Sequence, residues 1–239
     1  VSRIERGEGK AASVEEVQAW ADATSADTAT HAELAALAEQ AWDETRSWRA
    51  SHRGGLAARQ REMGEYEQQA TEILQFTPAT IPGLLQSPAY ARSVMTFGDV
   101  TSQGGIDEAV AARMRRQGVL RDEGRRFEYL LTEGALRWNP GPPEVAAEQL
   151  AHLLAAAKLP AVSLSVIPFS RRPAGVYLHP FTIYRIPDAP AVLVENYHAE
   201  SFIAEPGSLA IYERTFAMLL ASAVTGDEAA EFMRAVLLG

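Results

Sequence analysis

The spacing of apolar residues along this 239-residue chain changes from helical to strand-like near its middle and back again near its end. Val14, Val17 and Ala21 fall on one face of a short helix, opened by Ser13 and Glu16 as a capping box. From about His31 to Gln69 the same spacing continues through Leu34, Leu37, Ala41 and Trp48. Gly54-Gly55 marks a bend or break. The mixed-sign stretch from Arg59 to Glu67 reads as a solvated helix face. Pro82 and Pro88 each suit a first helical turn, and Tyr90, Val94 and Phe97 form a face behind the second. After a Gly104-Gly105 loop, Ile106 to Asp122 reads as a helix carrying Arg113, Arg115, Arg116 and Arg121.

Alternation then takes over. Phe127, Tyr129 and Leu131 mark one strand, and Val162 to Ile167 alternates most cleanly of all. Phe181–Ile186 and Val192–Glu195 are two more, separated by a Pro187–Pro190 turn, and Ser201–Ala204 is a short candidate. A helix from Pro142-Pro143 to about Lys158 interrupts the strands. Leu209–Ser222 and a last helix, with Thr225 and Glu228 as its capping box, close the chain. The order predicts an α+β fold: a helical N-terminal extension, a small mostly antiparallel sheet packed with helices, and C-terminal helices. Residues 1–27, 28–70 and 71–239 are the expected divisions, the middle one a connector or dimerisation arm.

Composition narrows the function. With 47% hydrophobic residues the chain can bury a core, and with no cysteine it has no disulfide, thiolate or cysteine–zinc chemistry. A net charge of −9 does not suit a general nucleic-acid binder. Without a long apolar run or a secretory leader, a cytoplasmic protein that does not span a membrane is expected. There is no phosphate loop, nucleophile elbow or zinc-binding His pair, so neither cofactor nor metal is expected.

Two blocks carry a family resemblance. Val1-Ser2-Arg3-Ile4-Glu5-Arg6-Gly7 and the helix after it resemble the recognition helix and next helix of an Xre-type (Cro/repressor-like) helix-turn-helix domain. Further on come Ile81-Pro82-Gly83-Leu84-Leu85-Gln86, Tyr90-Ala91-Arg92, Arg113 with Arg116-Gln117, Glu133 with Arg137, Gln149-Leu150, Val166-Ile167-Pro168-Phe169 and Val194-Glu195. That ordered series resembles the C-terminal effector domain found behind Xre-type modules in many actinobacterial regulators. The resemblance implies a transcription regulator, often encoded beside a small partner protein. A complete module places two more helices before Val1, one of which braces the reading helix. Ser2, Arg3 and Arg6 are therefore expected to be vestigial DNA contacts. Autonomous DNA binding is expected to be lost, and DNA is a partner only if those helices exist.

Candidate chemistry gathers near the sheet. His179 and Tyr177 share a loop between strands and suit a proton acceptor and donor, or simply an ordinary packed hairpin loop. Glu133 and Glu195 stand at strand ends. Each is open to two readings: a desolvated acid–base carboxylate, or an ion pair with Arg113 or Arg137. The many aromatic residues suit either core packing or the wall of a ligand pocket. Arg113, Gln117, Arg137, Trp138, Phe169, Phe181 and Tyr197 are the candidate ligand contacts.

The leading expectation is a regulator-like protein whose large domain binds a small molecule or a small partner protein. The alternative is a cofactor-free biosynthetic enzyme, such as a natural-product cyclase, using His179, Tyr177, Glu133 and Glu195. A homodimer through the helical arm is the third expectation.

Overall fold

The computed structural model describes residues 14–38, 55–98, 105–187, 189–195 and 200–238. The chain divides into two compact units, one of residues 1–53 with 196–201 and one of 54–195 with 202–239. In the smaller unit, helix α1 (Val14–Ala23) buries Val17 and Ala21, as the spacing predicts, and residues 28–38 form helix α2. Ser13, Trp48 and Gly54 lie outside the described residues.

The larger unit starts with helix α3 (Gly55–Gln69), followed by strand β1 (Glu72–Thr77). A 3-10 turn (Gly83–Leu85), helices α4 (Pro88–Gly98) and α5 (Ile106–Arg116) and a second 3-10 turn (Gln117–Arg121) lead to β2 (Arg126–Thr132). Helices α6 (Glu133–Arg137) and α7 (Pro143–Ala156) lead to β3 (Val162–Ile167). Strands β4 (Phe181–Arg185), β5 (Ala191–Glu195) and β6 (Glu200–Ile203) follow, then helices α8 (Pro206–Leu220) and α9 (Gly226–Leu238). Proline stands at or beside the first helical position of α4, α7 and α8, where no backbone donor is lost.

The fold is α+β, and the described residues form a six-stranded sheet in the order β3-β2-β1-β4-β5-β6. Of the strands expected from the sequence, β4 and β5 pair antiparallel, and β4 also pairs antiparallel with β1, which was not expected. Strands β1, β2 and β3 run parallel, because helices α4–α5 and α6–α7 carry the chain back between them. One face of the sheet carries Ile73, Phe127, Leu131, Leu164 and Tyr184, which pack with Met63, Tyr90, Leu153 and Met233. The other carries Leu74, Phe76, Leu130 and Ile183 beneath Phe216 and Leu219 of α8.

Several expectations change. Strand β1 has no clean alternation because both its faces are buried, Ile73 on one and Leu74 and Phe76 on the other. The Arg59–Glu67 stretch is not a solvated face, since Gln60, Met63, Gly64 and Glu67 are buried. Phe97 is exposed, and α4 buries Tyr90, Ala91 and Met95 instead. Glu133 opens α6 rather than ending a strand, with Thr132 as the cap accepting from the Ala135 N–H. Glu228 does not close a capping box but pairs with Arg171 at 2.7 Å.

Candidate functional site

The strand register places a polar row across the middle of a hydrophobic sheet face. Leu164, Tyr129, Gln75, Thr182 and Leu193 are successive neighbours from β3 to β5, so three polar side chains lie between two leucines. Thr77 lies two residues beyond Gln75 on the same face. The Thr77 and Tyr129 hydroxyls are buried with no hydrogen-bond partner among the described residues. Burying a hydroxyl without a partner costs roughly 1–3 kcal/mol, so native folds rarely tolerate it without a reason.

A pocket of about 220 Å³ opens beside this row. Gln75, Thr77 and Thr182 form its floor, with Ile81, Pro82, Gly83, Gln86, Val94 and Arg113 around it and Glu195 at the end of β5. It lies beyond the carboxyl end of β1, where the strand order reverses between the β1–β2–β3 side and β4. Open sheets with crossover helices characteristically bind ligands at such a reversal.

The wall at residues 81–86 is held from within by Gln86 and from distant parts of the sequence by Gln117 and Gln149. Gln86 donates to the Ile81 carbonyl at 2.7 Å, and Gln117 donates to the Gln86 carbonyl at 2.6 Å. Gln149 donates to the Leu85 carbonyl at 2.6 Å and accepts from the Ser87 N–H at 2.8 Å. Gly83 lies against the Arg113 guanidinium, where an added Cβ would sit 3.5 Å from Nε. Residues 81–86, Arg113, Gln117 and Gln149, which are part of the effector-domain resemblance, build this wall.

Arg113 and Arg116 are treated differently. Arg116 makes a two-pronged pair with Glu67, its Nε donating to Oε2 at 2.8 Å and its Nη2 to Oε1. Arg113 donates from Nε to Gln60 at 3.0 Å and from Nη1 to Gln86, both neutral amides. Among the described residues no carboxylate lies within ion-pair distance of it, and its Nη2 has no hydrogen bond. Burial and then the like charge of Arg116 pull the Arg113 guanidinium down to about 10, against the opposing charges of Glu195 and Glu67. It remains a cation at neutral pH, with free hydrogen-bonding capacity beside the pocket.

The four acid–base candidates are not brought together. Glu133 accepts from Arg137 Nε at 2.7 Å and from the Phe169 N–H at 2.8 Å. Burial pushes its carboxyl up, but those two donors and the Arg137 charge outweigh it and hold the group below its ordinary value. Glu133 is thus an ion-paired anchor, and Arg137 and Phe169 serve it. Glu195 pairs with Arg59 at 3.1 Å, not with Arg113 or Arg137. Tyr177 and His179 line a separate, more open pocket of about 400 Å³ with Tyr212, Ile203 and Ile211. The Pro180 carbonyl can only accept, so His179 Nδ1 carries the proton at 2.9 Å from it, and Nε2 faces the Tyr212 hydroxyl at 3.5 Å.

Of the candidate ligand contacts, Arg113 and Phe181 line the inner pocket. Gln117 supports its wall, and Trp138 packs edge-on to Tyr90 with a 6.1 Å ring separation. Tyr197, like Ser2, Arg3 and Arg6, lies outside the described residues. The sequence reading did not single out Gln75, Thr77, Thr182 or Gln86. The signal available for Gln75 and Thr77 was a polar side chain on either side of Phe76 in an otherwise apolar segment. Among the described residues, no group of three or more His, Asp or Glu side chains is placed to hold a metal, and no helix is long and apolar enough to cross a membrane.

The chain belongs to the DUF5753 family, described as a domain of unknown function, whose sequence profile matches residues 60–235. That span runs from Gln60 of α3 into α9 and contains the whole inner pocket. No curated protein matches the chain.

Proposed function

We propose that this DUF5753-family chain is a sensor in a transcription-regulator-like protein, and that its α+β unit binds a small molecule in the pocket above Gln75, Thr77 and Thr182. One observation carries the reading. A buried Thr77 hydroxyl without a partner and a guanidinium satisfied only by amides line the same cavity. A fold selected for stability alone would fill such a site with hydrocarbon. A bound ligand supplies both missing partners. The resemblance to Xre-type regulators supports the regulatory setting.

A cyclase has less support. Its four proposed acid–base groups lie in three places, with Tyr177 and His179 together in the outer pocket, and Glu133 is committed to Arg137 and Phe169. The inner pocket offers hydrogen bonds and one cation, which suits holding a molecule more than moving protons.

The test is a thermal-shift screen of neutral, anionic and phosphorylated metabolites on the wild-type protein and on Thr77→Val and Thr182→Val. Compounds that stabilise the wild type are expected to lose much of that effect in both variants. Stabilisation undiminished in both would remove the pocket assignment.

A further inference from the structure

We propose that the ligand of this pocket is a small monocarboxylate, its carboxylate taken by the free end of Arg113 and a second polar group met by the Thr77 and Thr182 hydroxyls; the inference rests on the pocket reading above.

Arg113 Nε and one Nη1 hydrogen are used by Gln60 and Gln86, which fixes the plane of the group. Nη1 keeps one hydrogen and Nη2 keeps both, so the group retains donors for a two-oxygen partner. Two parallel N–H donors match the two oxygens of a carboxylate, a recognition that lysine cannot reproduce. Gly83 lies beside the guanidinium, where an added Cβ would touch Nε and Cζ.

Charge selects within the anions. Arg113 is the only cation lining the pocket among the described residues, and Glu195 is its one carboxylate. A phosphate dianion would meet one guanidinium and keep a second negative charge without a partner, since the Glu195 carboxylate is itself held by Arg59. A single negative charge is matched by Arg113 alone. Size and lining complete the description. About 220 Å³ is below the 300–1,000 Å³ of sites for drug-sized ligands, so the occupant is a small metabolite. Ile81, Val94 and Leu193 give it a short apolar wall. On the floor, the unpartnered Thr77 hydroxyl accepts from or donates to a hydroxyl, keto or amide group. A short hydroxy or oxo acid satisfies every one of these features.

The experiment titrates the full chain, by protein-observed NMR and calorimetry, with three probe sets. These are short- and medium-chain monocarboxylates with and without a hydroxy or keto group, their primary amides, and inorganic phosphate with simple phosphate monoesters. Hydroxy or oxo acids are expected to bind best, with the matching amides weaker by roughly ten- to a hundredfold, the loss of a charge-assisted pair. Arg113→Lys should weaken the acids by a similar factor and leave the amides nearly unchanged. Thr77→Val, which keeps the side-chain shape, should weaken the hydroxy acids several-fold and the unsubstituted acids hardly at all. Amides that bind as well as acids, or phosphates that bind better, with Thr77→Val still weakening them, would overturn the carboxylate assignment and leave the pocket reading standing. No saturable, Thr77-dependent binding in any of the three sets would overturn both.

Discussion

Arg113 and Arg116 lie one helical turn apart on α5 and donate to the same oxygen, Gln60 Oε1, at 3.0 and 2.5 Å. Two buried guanidinium groups therefore share one neutral acceptor; Glu67 is ion-paired with Arg116, while Glu195, whose charge also bears on Arg113, is ion-paired with Arg59. Among the described residues Arg113 has no ion-pair partner of its own. Gln60→Glu supplies the missing charge at nearly the same shape. Its buried carboxylate is offset by two cations, and charge-assisted hydrogen bonds replace neutral ones, a gain of about 1 kcal/mol. The variant is expected to melt higher and to bind carboxylate probes more weakly, because Arg113 then has an internal partner. Tighter probe binding in Gln60→Glu would contradict the role given to Arg113.

The Glu67–Arg116 pair is a different case, because both partners are almost fully buried. Removing one member strands a charge. Glu67→Gln is expected to cost about 3–5 kcal/mol in urea unfolding. Replacing both, as Glu67→Leu with Arg116→Met, should recover most of that loss, since a well-packed apolar pair is often as stable as a buried ion pair. If the double variant is no more stable than Glu67→Gln alone, the cost lies in packing rather than in the stranded charge.

Thr77→Val separates stability from binding. The hydroxyl is buried and unpartnered, so exchanging it for a methyl group removes a desolvation penalty without opening a cavity. The ligand-free variant is expected to gain about 1 kcal/mol, within the roughly 1–3 kcal/mol range for an unmade hydrogen bond. A stability gain at a ligand-binding position is the usual trade between function and stability. Denaturant titration checks it, and a clear loss of stability would mean the hydroxyl already has a partner in the free protein.

Much of the architecture was legible because its signals are local. Pro88 and Pro142-Pro143 mark helix starts, and Val162–Ile167 shows a strand's period. Strand β1 was not legible, and that omission hid the pocket. A central strand buries both faces, so Ile73, Leu74 and Phe76 mask the alternation that would have placed Gln75 and Thr77 on one side. The pairings that matter are also long-range. Gln60 and Arg113 are 53 residues apart, and Glu67 and Arg116 are 49. Nothing in the helical spacing of either segment joins them. The same limit made Arg59–Glu67 look solvated, when a buried polar layer and an exposed charged face share one pattern. Arg113, expected as a ligand contact, lines the pocket, and Glu133 forms the ion pair with Arg137 that was one of its two readings.

Glu133 offers a check through pH. Its carboxyl titrates below its ordinary value of 4.5, because the Phe169 N–H and Arg137 outweigh the effect of burial. The unfolded chain therefore binds this proton more readily than the folded one. The group contributes stability above the ordinary carboxylate value, and that contribution is lost as pH falls through the folded value. Glu133→Gln keeps an acceptor for the Phe169 N–H but loses the charge. Near pH 7 it should cost about 1–2 kcal/mol, the lower part of the range for charged hydrogen bonds, because Arg137 is half exposed and screened. Stability curves for the wild type and the variant are expected to converge as the medium is acidified below that value. Carboxylate-probe binding at neutral pH should be unchanged, since Glu133 does not line the inner pocket. A constant gap across the acid range would mean the loss comes from shape rather than charge. A matching loss of probe binding would make Glu133 part of the ligand site instead of an anchor for the start of α6.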